Sequence, residues 1–355
     1  MAKVEDLIRP RISLRRFLFY FVTLAALVLI YLKFSEIRLL KEVFLRSNLA
    51  WLAAIIVTQV LSYYSLALNY RDVLRVKDLE VGVSKLFPIT FVIQFLNQAL
   101  PSATISGQAF FVHYLRKYGL TLAEGIGRAV VELLTLYVAF GVFFLVASIA
   151  IFRSGVWAVH PELAYFIYVF LFISVTLSAV FLTLQRRRRG RLVQWVVNRL
   201  HRYFEDAGRG NDHSRHVAMI FDQLRDNVNI GELAKRKSAF WAACFWQGMV
   251  LFFNVLTLYF ISFAIGFPIS FSVAFITFTL TKFVSMIAFV PGAFGVFEGG
   301  MTLILVSFAV SASVAFAMTL LFRAFTFWFP MPVGWLLYRW YLHRQELENP
   351  YQNSE

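Results

Sequence analysis

Residues 101–108 read PSATISGQ and residues 291–298 read PGAFGVFE, and each stretch interrupts a long apolar region of the chain. The second stretch follows the first by 190 positions (291 − 101), and the correspondence continues upstream. Trp51 and Trp241, which begin two corresponding apolar runs, are also 190 positions apart. Apolar regions broken at matching positions are typical of membrane proteins built from two inverted repeats, although Pro and Gly could instead relieve packing in two unrelated helices.

Long apolar runs make up most of the remaining chain. It has 355 residues, of which 59% are hydrophobic, and its mean hydropathy is +0.68. A helical crossing of a bilayer takes about 20 predominantly apolar residues. Six runs are suited to one crossing each: residues 17–33, 49–69, 122–152, 163–184, 239–263 and 313–338. The sequence therefore predicts an all-α polytopic membrane protein.

The two broken regions, residues 86–118 and 271–308, are predicted to form re-entrant helical hairpins. Pro101 and Gly107 break the first region, and Pro291 breaks the second. The half-helices on either side of each break are short for a full crossing. Full crossings stay open as an alternative, because ten crossings give the same outer topology as six crossings and two hairpins.

The repeat divides the chain into two membrane units. Residues 1–155 are predicted to form the first unit and residues 156–355 the second, with a basic amphipathic insert at residues 185–238. Each unit has three crossings and one broken hairpin. Because three is an odd number, the second unit is predicted to be inverted relative to the first.

The net charge of +14 is concentrated beside the apolar runs. Basic clusters at residues 9–16, 186–189 and 339–344 fall on one side of the predicted topology, as the positive-inside rule requires for cytoplasmic segments. We therefore expect a multi-pass protein of the inner or plasma membrane with both termini in the cytoplasm. The same distribution favours anionic lipid over nucleic acid as a partner.

Ionisable residues inside the apolar regions are the candidate binding site, because a charge at bilayer depth usually faces a partner or a wet cavity. We predict that Arg128, Lys282 and Arg323 surround an anionic headgroup. Glu132 and Glu298 would balance these cations or exchange protons. Glu132 and Arg323 are 191 positions apart and lie in corresponding crossings. The alternative is that the charges form internal ion pairs that fix the positions of helices.

Three uncharged residues complete the candidate site. Gln108 supplies a hydrogen-bonding group in the first hairpin, at the position that corresponds to Glu298 in the second. Gly292 and Gly295 allow close approach of the backbone and could present half-helix amides to a phosphate, or could serve in helix packing.

Motifs for catalysis or cofactor binding are absent from the sequence. The histidines show no metal-binding spacing, and we find no phosphate-binding loop, dinucleotide fingerprint or nucleophile elbow. The single cysteine, Cys244, leaves no disulfide framework. We expect no cofactor and no metal, so transport would be passive or coupled to an ion.

The stretch NQALPSATISGQ at residues 97–108, the segment 115–119 and PGAFGVFE at residues 291–298 resemble the transmembrane, flippase-like domain of lysylphosphatidylglycerol synthases. The resemblance covers nearly the whole chain. Two departures are Ala293, where family members often carry glycine, and residues 106–108, where they often carry Gly-Gly-Glu. The family implies movement of phospholipids, aminoacylated lipids or polyprenyl-linked glycolipids, and we expect no soluble aminoacyl-transfer domain and no enzymatic activity.

Three functions follow from these observations. The first is a flippase or scramblase that moves an anionic phospholipid or a lipid-linked sugar. The second is a non-transporting accessory subunit of an enzyme that builds lipids or cell-envelope glycans, with the polar residues in structural roles. The third, an intramembrane lipid-modifying enzyme, lacks a convincing nucleophile and base. Membrane lipids are the expected partners, with a homo-oligomer or an envelope-biosynthesis protein as further candidates.

Overall fold

The computed structural model describes residues 48–76, 78–99, 105–154, 236–287 and 291–348, and these ranges contain helices and turns but no strand. In chain order the helices are α1 (Leu49–Arg75), α2 (Val83–Ala99), α3 (Ile105–Leu115), α4 (Leu122–Ser154), α5 (Lys237–Ala264), α6 (Phe271–Ile287), α7 (Val296–Ser307), α8 (Ala312–Arg323) and α9 (Pro330–Glu348). Short 3₁₀ turns at Arg116–Tyr118 and Pro291–Ala293 and a π-helical turn at Ala324–Trp328 connect neighbouring helices.

Four predicted crossings are confirmed as helices that are long and apolar enough to span a membrane. They are Leu49–Arg75, Leu122–Arg153, Lys237–Ala264 and Ala312–His343, the last being formed by α8, the π turn and α9 together. The chain is therefore an all-helical polytopic membrane protein. The predicted crossings at 17–33 and 163–184, the break at Pro101 and nearly all of the 185–238 insert lie outside the described residues.

Local sequence signals place the ends of these helices. The Asn48 side chain accepts a hydrogen bond from the amide of Ala50 at 2.9 Å and caps α1. Before α4, the Thr121 amide donates to the Glu124 carboxylate at 2.8 Å, and the Glu124 amide donates back to the Thr121 hydroxyl at 3.3 Å. Such a capping box satisfies two amides that the first helical turn leaves without partners.

Helices α2 and α3 form an antiparallel hairpin. At one end, the Gly107 amide donates to the side-chain oxygen of Asn97 at 2.8 Å, and at the other the Tyr114 hydroxyl lies 3.4 Å from the Lys85 carbonyl oxygen. The second broken region consists of helix α6, the 3₁₀ turn that follows it and helix α7. The first helix of each region has 17 residues, and the second has 11 residues in α3 and 12 in α7, so the helices are about 16–26 Å long. That length is below the ~30 Å of a bilayer core, and the re-entrant arrangement stays a prediction.

Helices α1 and α5, which contain the two corresponding tryptophans near their N-terminal ends, pack along each other in opposite directions. The hydroxyl groups of Thr58 and Thr257 lie 2.8 Å apart, and the Asn254 amide donates to the Ser62 hydroxyl at 3.1 Å. Later residues of α1 therefore contact earlier residues of α5. An antiparallel pair is what inversion of the second unit predicts, and the division into two units stays a prediction because part of each unit is not described.

The last long helix of each predicted unit packs against the broken region of the other. Helix α9 packs on α2, and α4 packs on α6, where the rings of Phe143 and Phe275 stack at 5.1 Å. The contact between α9 and α2 is close at Gly334, where a Cβ atom would lie 2.5 Å from the Phe91 carbonyl oxygen and 2.6 Å from Phe95 Cβ. Each of these long helices therefore contacts the broken region of the other predicted unit.

We expect Gly334→Ala to destabilise the protein by about 1–3 kcal/mol, because the added methyl group has no space against α2. The matched control is Gly141→Ala in α4, where no atom lies within 4 Å of the added Cβ atom and helix propensity favours alanine by about 1 kcal/mol. Thermal unfolding of the two purified full-length variants in detergent measures the difference. Equal stabilities would contradict the close approach of α9 and α2.

Candidate functional site

A polar cavity of about 320 Å³ lies between the two broken regions and the long helices α1, α4 and α5. Side chains from both predicted units line it. Its polar lining consists of Gln59, Ser62, Tyr63, Tyr70, Gln94, Asn97, Gln98, Gln108, Glu132, Tyr137, Gln247, Asn254, Lys282, Ser285, Arg323 and Thr326. The cavity is partly open and has both polar and apolar walls, and its size suits the headgroup of a lipid or a comparable small molecule.

Most of the predicted substrate-binding residues lie at this cavity. Those that line it are Gln108, Glu132, Lys282, Gly292 and Arg323. Those that do not are Arg128, Gly295 and Glu298. Of the predicted hairpin breaks, Gly107 lies beside Asn97 in the first hairpin and Pro291 begins the 3₁₀ turn before α7.

Arg323 and Glu298 form an ion pair at one wall of the cavity. The Arg323 Nε donates to Glu298 Oε1 at 2.6 Å, and Nη2 donates to the carbonyl oxygen of Gly292 at 2.8 Å. Both side chains are largely buried, with 7% of Arg323 and 17% of Glu298 exposed. Arg323 thus joins the last long helix to the turn and to the first residues of α7.

Aromatic rings surround the same guanidinium group. The guanidinium carbon lies 4.3 Å from the ring centre of Phe327, 4.9 Å from that of Phe297 and 5.2 Å from that of Phe294. Cation–π attraction strengthens when the cation is removed from water, as it is here. The rings hold the guanidinium plane in place, so that Arg323 faces the cavity as a fixed cation.

Gln108 and Glu132 form the corresponding pair in the first predicted unit. Gln108 Nε2 donates to Glu132 Oε2 at 2.6 Å, which joins α3 to α4. In sequence, Gln108 corresponds to Glu298, and Glu132 corresponds to Arg323. In each predicted unit, the broken region is therefore joined to the following long helix by side chains at corresponding positions. The contact is a hydrogen bond between an amide and a carboxylate in the first unit and an ion pair in the second.

The two glycines have backbone roles that differ from those expected of phosphate-binding amides. Gly295, with φ of 77°, is the N-cap of α7, and its amide donates to the Glu298 carboxylate at 2.7 Å. Gly292, with φ of 56°, contributes its carbonyl oxygen to Arg323. Ala293 between them also has a positive φ, of 52°, a backbone conformation that favours glycine. The turn is thus shaped to hold Glu298 and Arg323.

Lys282 differs from the other charged residues of the cavity. It lies in α6, is half-buried, and lines the cavity. No side chain among the described residues forms an ion pair or a hydrogen bond with its ammonium group, whereas Arg323 and Glu132 are both engaged. Lys282 is therefore the cation that remains available to a ligand within this part of the chain.

Arg128 lies outside the cavity. Its Nη1 donates to the carbonyl oxygen of Glu124 at 3.0 Å, one helical turn toward the start of α4. The spacing of Glu124, Arg128 and Glu132 does place all three on one helix, but the Arg128 side chain extends away from the level of Glu132. Helical side chains lean toward the N-terminus of their helix, which is the direction that Arg128 takes.

The sequence reasoning missed the polar residues that α1 and α5 contribute to the cavity. Gln59 donates to the Thr257 hydroxyl at 2.7 Å where these helices meet. Gln247 and Asn254 line the cavity from α5 and are seven residues apart, which places them on one helical face. Amides at this spacing in otherwise apolar runs were a signal for the site that a search for charges overlooks.

Among the residues that the structure describes, no three His, Cys, Asp or Glu side chains come together in a way that would hold a metal ion.

Apolar spanning helices around a polar cavity define a polytopic membrane protein, and comparison with known proteins gives the family. The chain belongs to the lysylphosphatidylglycerol synthase transmembrane region family, whose model matches residues 17–334. A UPF0104 membrane protein of Methanothermobacter thermautotrophicus is 22% identical over 79% of this chain and 83% of its own. A UPF0104 membrane protein of Pyrococcus horikoshii is 21% identical over 88% of this chain and 93% of its own. No solved structure matches the chain.

Proposed function

We propose that the protein moves a lipid with an anionic headgroup across the bilayer. The observation that carries this proposal is Lys282, a cation without an ion-pair partner among the described residues, at a partly open cavity between apolar helices. A buried charge is costly unless it is paired, so an unpaired ammonium group at such a place favours a binding site for an anion.

The cavity would act by replacing water around the headgroup. An ionised phosphate that enters hydrocarbon loses its hydration, which is the main barrier to unassisted movement across a bilayer. Lys282 would neutralise the phosphate, and the neighbouring amides would supply hydrogen bonds in place of water. The acyl chains would stay among the membrane lipids, so only the headgroup needs the cavity.

Alternating access of the cavity would follow from the two broken regions. The pairs Gln108–Glu132 and Glu298–Arg323 fasten corresponding elements in the two units. Rocking of one unit against the other would open the cavity to one side and then to the other, as in transporters with inverted repeats. Such transport needs no catalytic group, and we propose that the protein is not an enzyme.

The orientation in the membrane belongs to the same proposal. We place the protein in the inner or plasma membrane with both termini in the cytoplasm, because its basic clusters adjoin the apolar runs on one side of the predicted topology. Labelling of single cysteines introduced near each terminus with an impermeant maleimide in intact cells tests this orientation. Labelling of either terminus before lysis would contradict it.

Transport is tested with the full-length protein in proteoliposomes that contain phosphatidylglycerol with a fluorescent acyl chain. Dithionite quenches the label in the outer leaflet, so we expect quenching to continue past the outer-leaflet fraction when the protein is present, and to stop there in protein-free liposomes. A parallel series with a labelled polyprenyl phosphate extends the test to lipid carriers. Quenching that stops at the outer leaflet in both series would contradict transport and favour the accessory role.

A further inference from the structure

The cavity contains far more amide groups than charges. Among the described side chains that line it, seven are Gln or Asn and three, Glu132, Lys282 and Arg323, are charged. Phosphate recognition alone does not require this set, because a single cation and a few donors satisfy a phosphate monoester or diester. The amides therefore point to a second chemical group on the ligand.

Two of these amides have buried oxygen atoms without a partner. Gln247 is 4% exposed, and its Oε1 has no hydrogen bond among the described residues. Gln108 Oε1 is buried and is likewise without a partner there, while its Nε2 is held by Glu132. Buried carbonyl oxygens are nearly always hydrogen-bonded, so each calls for a donor from the ligand.

Hydroxyl groups fit this requirement, and phosphate oxygens do not. An ionised phosphate diester only accepts hydrogen bonds, so it cannot satisfy an amide oxygen. A hydroxyl group both donates and accepts, and it therefore pairs with an amide side chain in either orientation of that side chain. Gln94 and Gln98, one helical turn apart on α2 and half-buried at the cavity, add two further amides for the same purpose.

The charges of the cavity disfavour a cationic headgroup, which would also donate hydrogen bonds. Both carboxylates near the cavity are engaged, Glu132 with Gln108 and Glu298 with Arg323. Lys282 would repel an added ammonium group directly. A site that combines a repelling charge with unsatisfied polar groups discriminates against the wrong ligand as well as binding the right one.

We propose that the ligand is a lipid whose headgroup carries one negative charge and several hydroxyl groups, such as a phosphate-linked polyol or sugar. The phosphate binds Lys282 and the hydroxyl groups bind the amides of Gln94, Gln98, Gln108 and Gln247. This inference rests on the proposed transport function, for which it names the substrate class.

The test compares fluorescent phosphatidylinositol, phosphatidylglycerol and phosphatidylserine with identical acyl chains in proteoliposomes of the full-length protein. All three headgroups carry a net charge of about −1. The inositol and glycerol lipids differ in their hydroxyl groups alone, whereas the serine lipid carries an ammonium and a carboxylate group in their place, so the inositol–glycerol pair isolates the hydroxyl groups. We expect rates in the order inositol, glycerol, serine, with inositol about tenfold faster than serine, as for one or two hydrogen bonds gained. Fluorescent lysylphosphatidylglycerol, with a cationic headgroup, should move more slowly than phosphatidylglycerol.

The variant for this test is Gln94→Met with Gln98→Met, which keeps side-chain length and removes four hydrogen-bonding groups. Neither amide forms a hydrogen bond with a described residue, so the fold should be unaffected. We expect movement of phosphatidylinositol to slow toward the rate of phosphatidylserine, and movement of phosphatidylserine to slow less than that of phosphatidylinositol. Equal rates for inositol and serine lipids in the wild type would overturn the inference and leave transport intact.

A binding measurement separates this inference from the proposed function. Short-chain phosphatidylinositol and phosphatidylserine are added to the protein in detergent, and the shift in melting temperature is measured. A larger shift with the inositol lipid supports the polyol site. If neither lipid moves in liposomes, that result contradicts the proposed transport but not the polyol site. Equal shifts together with equal transport rates reject the selective site.

Discussion

Arg323→Ala is expected to destabilise the protein by about 3 kcal/mol and to abolish transport. The substitution removes one member of a largely buried ion pair, which leaves Glu298 charged and without its partner in an apolar environment. It also removes the hydrogen bond to the Gly292 carbonyl oxygen and the contacts with three aromatic rings. The turn before α7 would then lose the group that holds it.

Unfolding of the detergent-solubilised protein, followed by tryptophan fluorescence, measures this loss. Arg339→Ala is the matched control, because Arg339 also lies over an aromatic ring, that of Trp335 at 5.5 Å, but is exposed. We expect the control to change stability by less than about 1 kcal/mol. A second control, Glu298→Gln combined with Arg323→Gln, removes both charges and should recover part of the stability that Arg323→Ala loses.

Stability of Arg323→Ala equal to that of the wild type would show that the ion pair does not support the turn. The double substitution also separates folding from function. If it restores stability without restoring lipid movement, the charge of Arg323 is needed for transport itself. If it restores both, the pair is structural, and the proposed role of Arg323 in headgroup binding is wrong.

The predicted correspondence between the two broken regions and the polar character of the site could be inferred from sequence because both depend on residue spacing. A displacement of 190 or 191 residues identified Gln108, Glu132, Glu298 and Arg323 as corresponding positions. Their pairing within each unit was not accessible, because it depends on how deeply each short helix lies against the following long one. That depth is set by contacts such as the hydrogen bond between Gly107 and Asn97, and the periodicity of the sequence does not predict such contacts.

Arg128 and the amides of α1 and α5 illustrate the two ways in which the sequence reasoning fell short. Arg128 shares a helical face with Glu132, but four residues of helix separate their Cα atoms by about 6 Å along the axis, and the long Arg128 side chain extends further toward the N-terminus. Gln247 and Asn254 were missed because uncharged amides lower the apolarity of a crossing only slightly. A charge in a crossing is recognised from sequence because it is energetically costly at bilayer depth, whereas the role of an amide becomes visible only when the structure shows that it lines the cavity.

Lys282→Gln is expected to slow the movement of anionic lipids by roughly 10- to 100-fold, the equivalent of a charge-assisted hydrogen bond of about 1.5–3 kcal/mol. Lys282 forms no ion pair with the described residues, so its removal leaves no described carboxylate without a partner. Stability should therefore stay equal to that of the wild type or increase, since one cation near Arg323 is lost. This separation of transport from stability distinguishes Lys282 from Arg323.

The experiment measures dithionite quenching of fluorescent phosphatidylglycerol in proteoliposomes, with thermal unfolding of the same preparations in detergent. Lys85→Gln is the matched control, because Lys85 is exposed near the start of α2 and lies outside the cavity lining. Lys282→Arg keeps the charge and should retain more movement than Lys282→Gln. Wild-type rates in Lys282→Gln would contradict the proposed binding of an anionic headgroup by Lys282, on which the proposal of anionic lipid transport rests.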